Sequence, residues 1–518
     1  MRRYLEKALK EYIISNILAI LDVVCTSFYP LLLSYIIDHF SELGKEDIIK
    51  ILCLFIISIV VLLVVQYFNK IVKARYQKIV CGSIRHDVFS NIITMNYTSF
   101  YKRRNEDYSS FLVNDVEQLY TLFFENLIYL SNTIIMLITY TVILGFMSPQ
   151  MCAVIMGSLL LIVLVPQVVG KKFDILNGNV SSSKADYLMS CEEILYAHDL
   201  INKNNKEHFV REHNARLDRM QGYNYFLAKY RSFVQIFSGS MLYVQLILCF
   251  VAGLLFASNG IISLGVFASS LLYVEYVASY SCNIVDECLE IKSSKVYRDK
   301  CVEFSRKETK NNSIATEVLK SLTARNISYR IDERILFHDL SFDINYPNKY
   351  LIEGPNGSGK STLLKILAGF IEPAEGKILF NGKEGISCDG IGYIPQRRYL
   401  FEGDVLSNIT LFDDEISQRK KAQISELCRQ MHFNYSLDYR IERNGQNLSG
   451  GEAAKICLIR ELCRDNRLLL IDEPFNDIDD KSKDDILNTL KNMNVAMVIV
   501  SHGLNEKEMF DSFISIDN

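Results

Sequence analysis

The residues with the clearest chemical meaning form a glycine-rich segment at 354–362. This segment reads Gly-Pro-Asn-Gly-Ser-Gly-Lys-Ser-Thr and fits the pattern Gly-x-x-x-x-Gly-Lys-Ser of a phosphate-binding loop. Its glycines allow backbone N–H groups to converge on an anion where a Cβ atom would crowd them. Lys360 is expected to reach the β- and γ-phosphate oxygens, and the Ser361 hydroxyl is expected to ligate Mg²⁺. The segment therefore predicts a nucleotide-binding site.

The flanking residues predict the elements that must position this loop. Tyr350-Leu351-Ile352 before the loop predicts a strand, and the apolar positions between 363 and 367 follow helical spacing. A helix that begins at the end of the loop directs its N-terminus at the bound anion. The sequence therefore supplies the strand–loop–helix order that the motif requires.

A second group of motifs carries a family resemblance. Leu448-Ser449-Gly450-Gly451-Glu452 resembles the signature sequence of ATP-binding cassette (ABC) proteins. The other family elements follow in the expected order: a Q-loop glutamine at Gln396, a Walker B strand ending in Asp472 and followed by Glu473, a D-loop aspartate at Asp479 and a switch histidine at His502. Five elements in this order leave little room for chance. The C-terminal part of the chain is identified as an ABC nucleotide-binding domain.

The resemblance implies a role for each of these residues. Glu473 polarises the attacking water, Gln396 contacts the metal and the water, and His502 contacts the γ-phosphate, so these three are the implied catalytic residues. The metal ligands are implied to be Ser361, Gln396 and Asp472. The signature loop of one cassette closes over ATP held by a partner cassette, so two chains sandwich two ATP molecules. The nucleotide-binding residues are Gly354, Pro355, Asn356, Gly357, Ser358, Gly359, Lys360, Ser361, Thr362, Tyr329, Ser449, Gly450 and Gly451.

The adenine-stacking residue is the least clearly marked member of that set. The aromatic position of the family falls at Ile331, and Tyr329 lies two residues earlier in the same predicted strand. Strand alternation places positions 329 and 331 on one face, so a small shift lets Tyr329 substitute for the missing aromatic residue. The alternative is that Tyr329 packs in the core of the domain, and both interpretations stay open.

Six apolar stretches precede the cassette. Each is close to the roughly 20 residues that a helix needs to cross a bilayer, and six of them would not suit a soluble domain. The long polar connections at 70–126 and 170–231 are rich in lysine and arginine, which the positive-inside tendency places in the cytoplasm together with the N-terminus. The predicted spans are 13–37, 51–69, 127–147, 151–169, 232–257 and 261–285.

These observations predict a multi-domain membrane protein. Its fold class is an all-α six-helix transmembrane domain followed by an α/β P-loop ATPase. The predicted domains are a transmembrane domain at 1–304 with two long intracellular loops, a polar linker at 305–316, and a nucleotide-binding domain at 317–518 with a minimal C-terminus. The predicted location is the cytoplasmic membrane, crossed several times, with the ATPase domain in the cytoplasm.

Composition excludes other classes of protein. The chain has 56 Lys and Arg against 60 Asp and Glu, a net charge of −4, which gives no basis for a nucleic-acid partner. Its 13 cysteines are scattered without Cys-x-x-Cys spacing, so reduced thiols packed as small apolar side chains are expected. The expected ligands are ATP, Mg²⁺, membrane lipid and a transported substrate.

The resemblance implies an ATP hydrolase coupled to transport. Importers usually carry their permeases as separate chains, whereas a fused six-span half with two long intracellular loops is typical of an exporter. The implied function is export of a peptide or an amphiphilic small molecule by alternating access, as half of a homodimer or heterodimer. Departures from the family at 476–479 and 105–108 favour a different partner chain. The alternative is an ATP-gated or regulatory membrane protein that does not pump.

The substrate is poorly determined by the sequence. Ionisable residues inside membrane spans are costly and point to function, and Asp22 in the first span and Glu275 in the sixth are predicted near mid-depth. Two acidic residues in a cavity favour a cationic peptide or amphiphile. The alternative is that these carboxylates form hydrogen bonds between helices or line a water-filled crevice.

Overall fold

The chain forms two compact units. The first comprises Met1–Ile93 and Arg104–Arg306, and the second comprises Thr94–Arg103 and Lys307–Asn518. The short segment Thr94–Arg103 therefore groups with the C-terminal unit, although it lies far from that unit in the sequence. The computed structural model describes residues 1–163, 165–306, 313–314, 319–331, 334–385, 387–388, 390–413, 415–476, 478–501 and 507–516.

The N-terminal unit is built from α-helices. Each predicted span overlaps a helix, with residue 164 outside the described part. By length and composition, the described segments Leu9–Asp38, Lys45–Thr94 and Asn105–Met147 are apolar enough to cross a membrane, and Tyr243–Ser258 is a shorter apolar stretch. The helices are α1 (Arg2–Lys7), α2 (Leu9–Asp38), α3 (Lys45–Thr94), α4 (Asn105–Ser110), α5 (Val116–Leu119), α6 (Asn126–Met147), α7 (Pro149–Val163), α8 (Val165–Tyr196), α9 (Lys206–Ser258), α10 (Leu264–Ser293) and α11 (Lys295–Phe304).

Helix α3 shows the apolar surface that a membrane requires. Leu54, Ile57 and Leu63 are 49%, 59% and 60% exposed within the unit. Such a surface is costly in water but matches hydrocarbon, where a helix satisfies its own backbone hydrogen bonds. The same helix continues to Thr94, so the first part of the long polar connection is also helical.

The end of α2 and the start of α10 are joined by hydrogen bonds. The Ser263 hydroxyl accepts from the Val266 N–H at 3.1 Å and donates to Asp38 Oδ2 at 2.6 Å. Asp38 Oδ1 accepts from the Gly265 N–H at 2.8 Å, so this carboxylate lies at the positive N-terminus of α10. A Cβ atom on Gly265 would lie 2.3 Å from the Ser34 carbonyl oxygen, so only glycine allows this close approach of the two helices.

Apolar and aromatic side chains fill the interior of the helical unit. Tyr140 on α6 packs against Tyr276 and Tyr280 on α10, with ring centroids 5.1 and 5.7 Å apart. The Tyr140 hydroxyl is also 2.5 Å from Thr26 Oγ1 on α2, so a polar contact accompanies the ring packing. The buried core residues are Val23, Tyr140, Leu144, Met151, Ile155, Cys249, Tyr273, Val274 and Val277.

The C-terminal unit contains two main sheets. Its strands are β1 (Ser313–Ile314), β2 (Ser321–Ile331), β3 (Arg334–Asn345), β4 (Lys349–Glu353), β5 (Glu375–Phe380), β6 (Lys383–Glu384), β7 (Ser387–Cys388), β8 (Ile391–Ile394), β9 (Gly403–Asp404), β10 (Arg440–Ile441), β11 (Leu468–Asp472), β12 (Ala496–Val500) and β13 (Ser512–Ser515). A parallel sheet has the order β13-β4-β12-β11-β8, and an antiparallel sheet has the order β3-β2-β5-β6.

The parallel sheet brings the ends of its strands to one edge. Every residue of β11 and β12 is buried, which explains why these strands are continuous apolar runs in the sequence. The carboxyl ends of parallel strands form the crevice where such folds bind ligands. The helices of this unit are α12 (Lys360–Leu367), α13 (Val405–Thr410), α14 (Gln418–Gln430), α15 (Gly450–Leu462) and α16 (Asp480–Asn492), together with the short helix Tyr97–Phe100.

The short helix contacts the C-terminal unit through aromatic rings. Tyr97 stacks on Phe370 with ring centroids 5.3 Å apart and an interplanar angle of 6°. Phe370 in turn meets Tyr393 of β8 edge to face at 5.2 Å. The Lys365 ammonium lies 5.6 Å from the centre of the Tyr97 ring, a cation–π contact from α12. These contacts explain why the segment 94–103 belongs to this unit.

Candidate nucleotide-binding site

The glycine-rich loop connects β4 to α12, as the sequence predicts. Gly357 and Gly359 have φ angles of +77° and +97°, which side chains with a Cβ rarely adopt. A Cβ on Gly359 would also lie 3.1 Å from Leu336 Cβ and from Phe337 Cδ1. Gly359 directly precedes the first residue of α12, so the loop ends at the helix N-terminus, where backbone N–H groups attract an anion.

Lys360 places its charge inside this loop. Its Nζ donates to the carbonyl oxygens of Gly354 at 2.8 Å and Pro355 at 2.9 Å, and its side chain is buried. Arg334 supports the loop from β3, because its Nη2 donates to the Gly357 carbonyl at 3.3 Å. The loop therefore holds an ammonium group where a polyphosphate would need one.

Ser361 and Asp472 form a pair of oxygen ligands beside the loop. The Ser361 hydroxyl donates to Asp472 Oδ1 at 3.0 Å, and Asp472 lies buried at the end of β11. Burial raises the pKa of Asp472; the hydrogen bond from Ser361 opposes that rise, and the charge of Glu473 adds to it. A hydroxyl and a carboxylate are the oxygen donors that Mg²⁺ prefers, and a cation here would favour the ionised form of Asp472.

Glu473 is held at the same edge of the sheet. Its backbone has a φ of +47°, and its N–H donates to the Val500 carbonyl of β12 at 2.8 Å. Its Oε2 accepts from Gln396 Nε2 at 2.8 Å and from Asn476 Nδ2. The two consecutive carboxylates therefore differ in surroundings, because Asp472 faces the Ser361 hydroxyl and Glu473 faces two side-chain amides.

The signature residues start helix α15. Ser449 caps this helix, since its Oγ accepts from the Glu452 N–H at 3.3 Å while Glu452 Oε2 accepts from the Ser449 N–H at 2.7 Å. Gly451 packs closely, because a Cβ there would lie 2.6 Å from Ser482 Oγ. Among the described residues, no hydrogen bond joins Ser449, Gly450 or Gly451 to the loop 354–362 of the same chain.

The structure brings most of the predicted catalytic and metal-binding residues together. Lys360, Ser361, Asp472, Glu473 and Gln396 meet where β4, β8 and β11 end. The predicted switch histidine, His502, lies outside the described residues.

Tyr329 is half-buried and packs against the core of the antiparallel sheet. Its ring centroid is 6.4 Å from that of Phe337. Ile331 is 52% exposed, so the two positions that compete for the adenine role differ clearly in burial. The stacking role of Tyr329 stays a prediction.

Asp22 and Glu275 have different surroundings. Asp22 on α2 is buried and accepts a hydrogen bond from the Gln66 side chain, whereas Glu275 on α10 is exposed. No hydrogen bond or ion pair among the described residues connects the two carboxylates. The sequence does not predict Glu287, because this residue lies two residues beyond the sixth predicted span. Its Oε1 accepts from Thr133 Oγ1 at 2.8 Å.

Arg398 is a further residue of the site that the sequence does not predict. Its Nη2 donates to the carbonyl oxygens of Pro474 at 3.0 Å and Asn476 at 2.6 Å, and its Nη1 donates to Gly450 at 3.4 Å. The one feature of the sequence that points to Arg398 is its position two residues after Gln396, a predicted site residue. An arginine in a loop has no partner that spacing alone identifies.

Comparison with known proteins agrees with this geometry. The sequence model of the ABC transporter transmembrane region matches residues 12–280, and that of the ABC transporter matches residues 337–476. The chain is 24% identical over 506 residues to an export ATP-binding/permease protein of Rickettsia bellii, covering 93% of this chain and 86% of that protein. It is 33% identical over 162 residues to the molybdate/tungstate import ATP-binding protein WtpC of Thermococcus kodakarensis, covering 30% of this chain and 49% of that protein.

The fold also resembles a solved structure. The match to a bacterial Atm1-family ABC exporter with ATP bound has a TM-score of 0.83 at 16% identity and covers 99% of this chain and 94% of that one. The likeness to the import protein covers less than a third of the chain, whereas the likeness to export proteins covers nearly all of it. The transmembrane match alone covers just over half of the chain. The chain therefore belongs to the ABC transporter family, as a half-transporter of the exporter type that fuses a helical membrane region to an ATP-hydrolysing cassette.

Proposed function

We propose that the chain is one half of a dimeric exporter that moves a peptide or an amphiphilic small molecule across the cytoplasmic membrane. ATP binding and hydrolysis in the cytoplasmic cassettes drive alternating access of the membrane cavity. The observation that carries this proposal is the convergence of Lys360, Ser361, Asp472, Glu473 and Gln396 at one sheet edge, in a chain that also contains membrane-spanning helices. The proposed domains are 1–304, the linker 305–316 and the cassette 317–518.

Each residue of the site has a proposed part in hydrolysis. Lys360 and the loop N–H groups bind the phosphates, and Glu473 accepts the proton of the attacking water. Ser361, Asp472 and Gln396 would hold Mg²⁺, which supplies neutralisation of charge on the phosphate oxygens. We assign the γ-phosphate contact to His502 and adenine stacking to Tyr329.

The second half of the site is proposed to come from another chain. Ser449 and the N-terminus of α15 offer N–H groups and a positive helix end, and no described hydrogen bond links them to the loop of their own chain. ATP bound between two cassettes would use both elements at once. Binding therefore favours the closed dimer, and hydrolysis removes that bias, which is the two-state switch an exporter needs.

Transport itself is the direct test. Inside-out vesicles that contain the chain should accumulate a fluorescent cationic amphiphile or a labelled peptide when Mg-ATP is added. Vesicles with Glu473→Gln are the matched control, because this variant keeps the membrane region unchanged. ATP hydrolysis without uptake of either probe class, and without any dependence on added probe, would favour an ATP-gated protein that does not pump.

Assembly has its own test. Mixing Lys360→Ala chains with Ser449→Arg chains leaves one intact composite site in each mixed dimer, so hydrolysis should return where neither variant alone is active. Activity that appears only when a second, different half-transporter is added would establish a heterodimer. Equal hydrolysis by monomers at every concentration would contradict the shared site.

In the membrane region, Asp22 and Glu275 remain the proposed contacts for a positively charged substrate group. Asp22 is the stronger candidate because it is buried on α2, and a buried carboxylate needs a donor or a cation to stay ionised. Gln66 supplies one donor in this conformation. A cationic group of the substrate would supply a second one.

A further inference from the structure

The carboxylate of Glu473 is held by two side-chain amides on one oxygen. Gln396 Nε2 donates to Oε2 at 2.8 Å, and Asn476 Nδ2 donates to the same atom. The sequence marks Asn476 only as part of a D-loop that departs from the family. Fixing Oε2 from two sides determines the plane of the carboxylate, and therefore the direction in which Oε1 points.

Asn476 is itself anchored from two directions. Its N–H donates to the Glu473 carbonyl at 3.4 Å, which folds the chain back after the carboxylate. Its own carbonyl accepts from Arg398 Nη2 at 2.6 Å, and the same nitrogen donates to the Pro474 carbonyl at 3.0 Å. The turn that carries Asn476 is therefore fixed by a side chain from outside the turn.

Arg398 connects this turn to two other parts of the site. It follows Gln396 by two residues, and its Nη1 donates to the Gly450 carbonyl at 3.4 Å. A planar guanidinium with donors in a rigid fork suits three carbonyl oxygens at fixed positions better than a lysine ammonium would. One arginine thus links the segment of Gln396, the turn after Glu473 and the start of the signature helix α15.

These contacts bear on catalysis because Gln396 has a second task. In the proposed function the side-chain oxygen of Gln396 is also a metal ligand, so the position of its Nε2 depends on where the metal lies. Asn476 is not a metal ligand in the proposed mechanism. Its amide is then the donor that keeps the Glu473 carboxylate in one orientation.

We propose that Asn476 is a positioning residue for Glu473, that it holds the carboxylate in the orientation from which it accepts the proton of the attacking water, and that Arg398 fixes the turn that carries it. This inference rests on the proposed role of Glu473. A misplaced general base lowers turnover by large factors without changing how the nucleotide is bound.

The decisive variant is Asn476→Asp in the full-length chain in proteoliposomes. It keeps the size of the side chain but replaces the N–H donor by a charged acceptor beside a carboxylate. We expect kcat for ATP to fall by about 10- to 100-fold, with KM for ATP within about twofold of wild type, because only the orientation of the base is lost. Asn488→Asp is the matched control, since it makes the same charge change on an exposed position of α16 and should leave kcat unchanged.

A rescue experiment separates positioning from general damage to the fold. Asn476→Asp alone should lower the apparent Tm of the nucleotide-free chain, because two carboxylates then meet. In the Glu473→Gln background the amide at position 473 is able to donate to the carboxylate introduced at 476, so the same substitution should cost little or nothing. An equal loss of Tm in both backgrounds would overturn the proposed contact.

The outcomes distinguish this inference from the proposed function. If Glu473→Gln hydrolyses ATP at the wild-type rate, the catalytic role of Glu473 fails and this inference fails with it. If Glu473→Gln is inactive while Asn476→Asp keeps the wild-type kcat, only the positioning role is overturned. Arg398→Lys should also lower kcat, but by less than Asn476→Asp. An unchanged kcat in this variant would contradict the proposed role of Arg398 in fixing the turn.

Discussion

The cassette and the helical unit differ in how sequence position relates to spatial position. In the cassette, Gln396, Asp472 and the loop that starts at Gly354 lie at the ends of three different strands of one parallel sheet, so the strand ends bring them together. In the helical unit, Asp22 and Glu275 were selected by residue type, and the rotation of each helix buries one and exposes the other. Residues at the carboxyl ends of neighbouring parallel strands lie close together, whereas the rotation of a helix about its axis decides whether a residue on it faces the interior or the surface.

The largest expected effect concerns the strand-end residues of the cassette. Glu473→Gln should lower kcat by about 10²- to 10⁴-fold while Mg-ATP still binds, because a general base acts only in the transition state. Lys360→Ala should instead weaken ATP binding, since its charge contacts the phosphates before any chemistry. Steady-state hydrolysis and equilibrium binding of a fluorescent ATP analogue measure the two effects. Equal loss of ATP binding in both variants would contradict the proposed roles, in which Lys360 binds the phosphates and Glu473 acts only in hydrolysis.

A second prediction concerns an ion pair that the cassette buries away from the nucleotide. Lys455 on α15 is 5% exposed and donates to Asp485 Oδ2 on α16 at 3.0 Å. Asp485→Asn should destabilise the cassette by about 3 kcal/mol, because it leaves a buried ammonium without its counter-charge. Denaturant unfolding followed by tyrosine fluorescence measures this change. Asp484→Asn, one residue earlier and exposed, is the matched control.

The same pair predicts how stability responds to acid. Burial raises the pKa of Asp485, but hydrogen bonds from Lys455 and His432 outweigh it and lower the pKa overall. A carboxylate with a lowered pKa in the folded state contributes stability above its unfolded pKa and loses it as the pH falls through the folded value. The contribution should therefore be complete at neutral pH and disappear only in strong acid. Asp485→Asn should remove this acid-dependent part of the unfolding curve.

In the helical unit the comparison predicts unequal effects for two similar substitutions. Asp22→Asn should lower substrate-stimulated hydrolysis and transport several-fold, because it removes a buried charge that a cationic substrate would approach. Glu275→Gln should have the smaller effect, because its side chain is exposed. Basal hydrolysis and membrane insertion should be nearly unchanged in both. Normal transport by both variants would make these carboxylates structural contacts between helices and leave the charge of the substrate open.

The smallest expected effect concerns the adenine. Tyr329→Leu should raise KM for ATP about threefold if the ring stacks on the base, in line with about 0.5–1.5 kcal/mol for an aromatic pair. Ile331→Ala is the matched control on the exposed neighbour. A lower Tm for Tyr329→Leu with unchanged KM would assign Tyr329 to the core with Phe337. A larger KM change for Ile331→Ala would move the adenine site to that position.

Much of the cassette could be predicted from its sequence because its chemistry is local. The loop from Gly354 to Thr362 is one contiguous segment whose glycines adopt positive φ angles. Asp472 ends a strand whose other residues are all apolar. Arg398 and Asn476 could not be predicted, because their partners are backbone carbonyls or a side chain fixed only by the folded turn. Spacing identifies residues that act on a ligand more easily than residues that hold other residues.

The helical unit shows the opposite limit. Apolar length predicts where helices lie, and each of the six predicted spans overlaps one. Apolar length does not record polar contacts just beyond the end of a span, so it does not predict Glu287, which accepts a hydrogen bond from Thr133 on another helix. The sequence likewise does not predict that segment 94–103 groups with the C-terminal unit, because the contact of Tyr97 with Phe370 exists only in the folded chain.

The stacking of Tyr97 on Phe370 has a practical consequence for anyone who divides this chain. A cassette produced from residue 307 onward lacks Tyr97 and leaves one face of the Phe370 ring without its stacking partner. Such a fragment exposes aromatic surface at Phe370 that Tyr97 covers in the whole chain. A cassette taken from a relative and fused to this membrane region would need an aromatic ring at position 370 to stack on Tyr97. The compact C-terminal unit is thus encoded by two stretches of sequence more than two hundred residues apart.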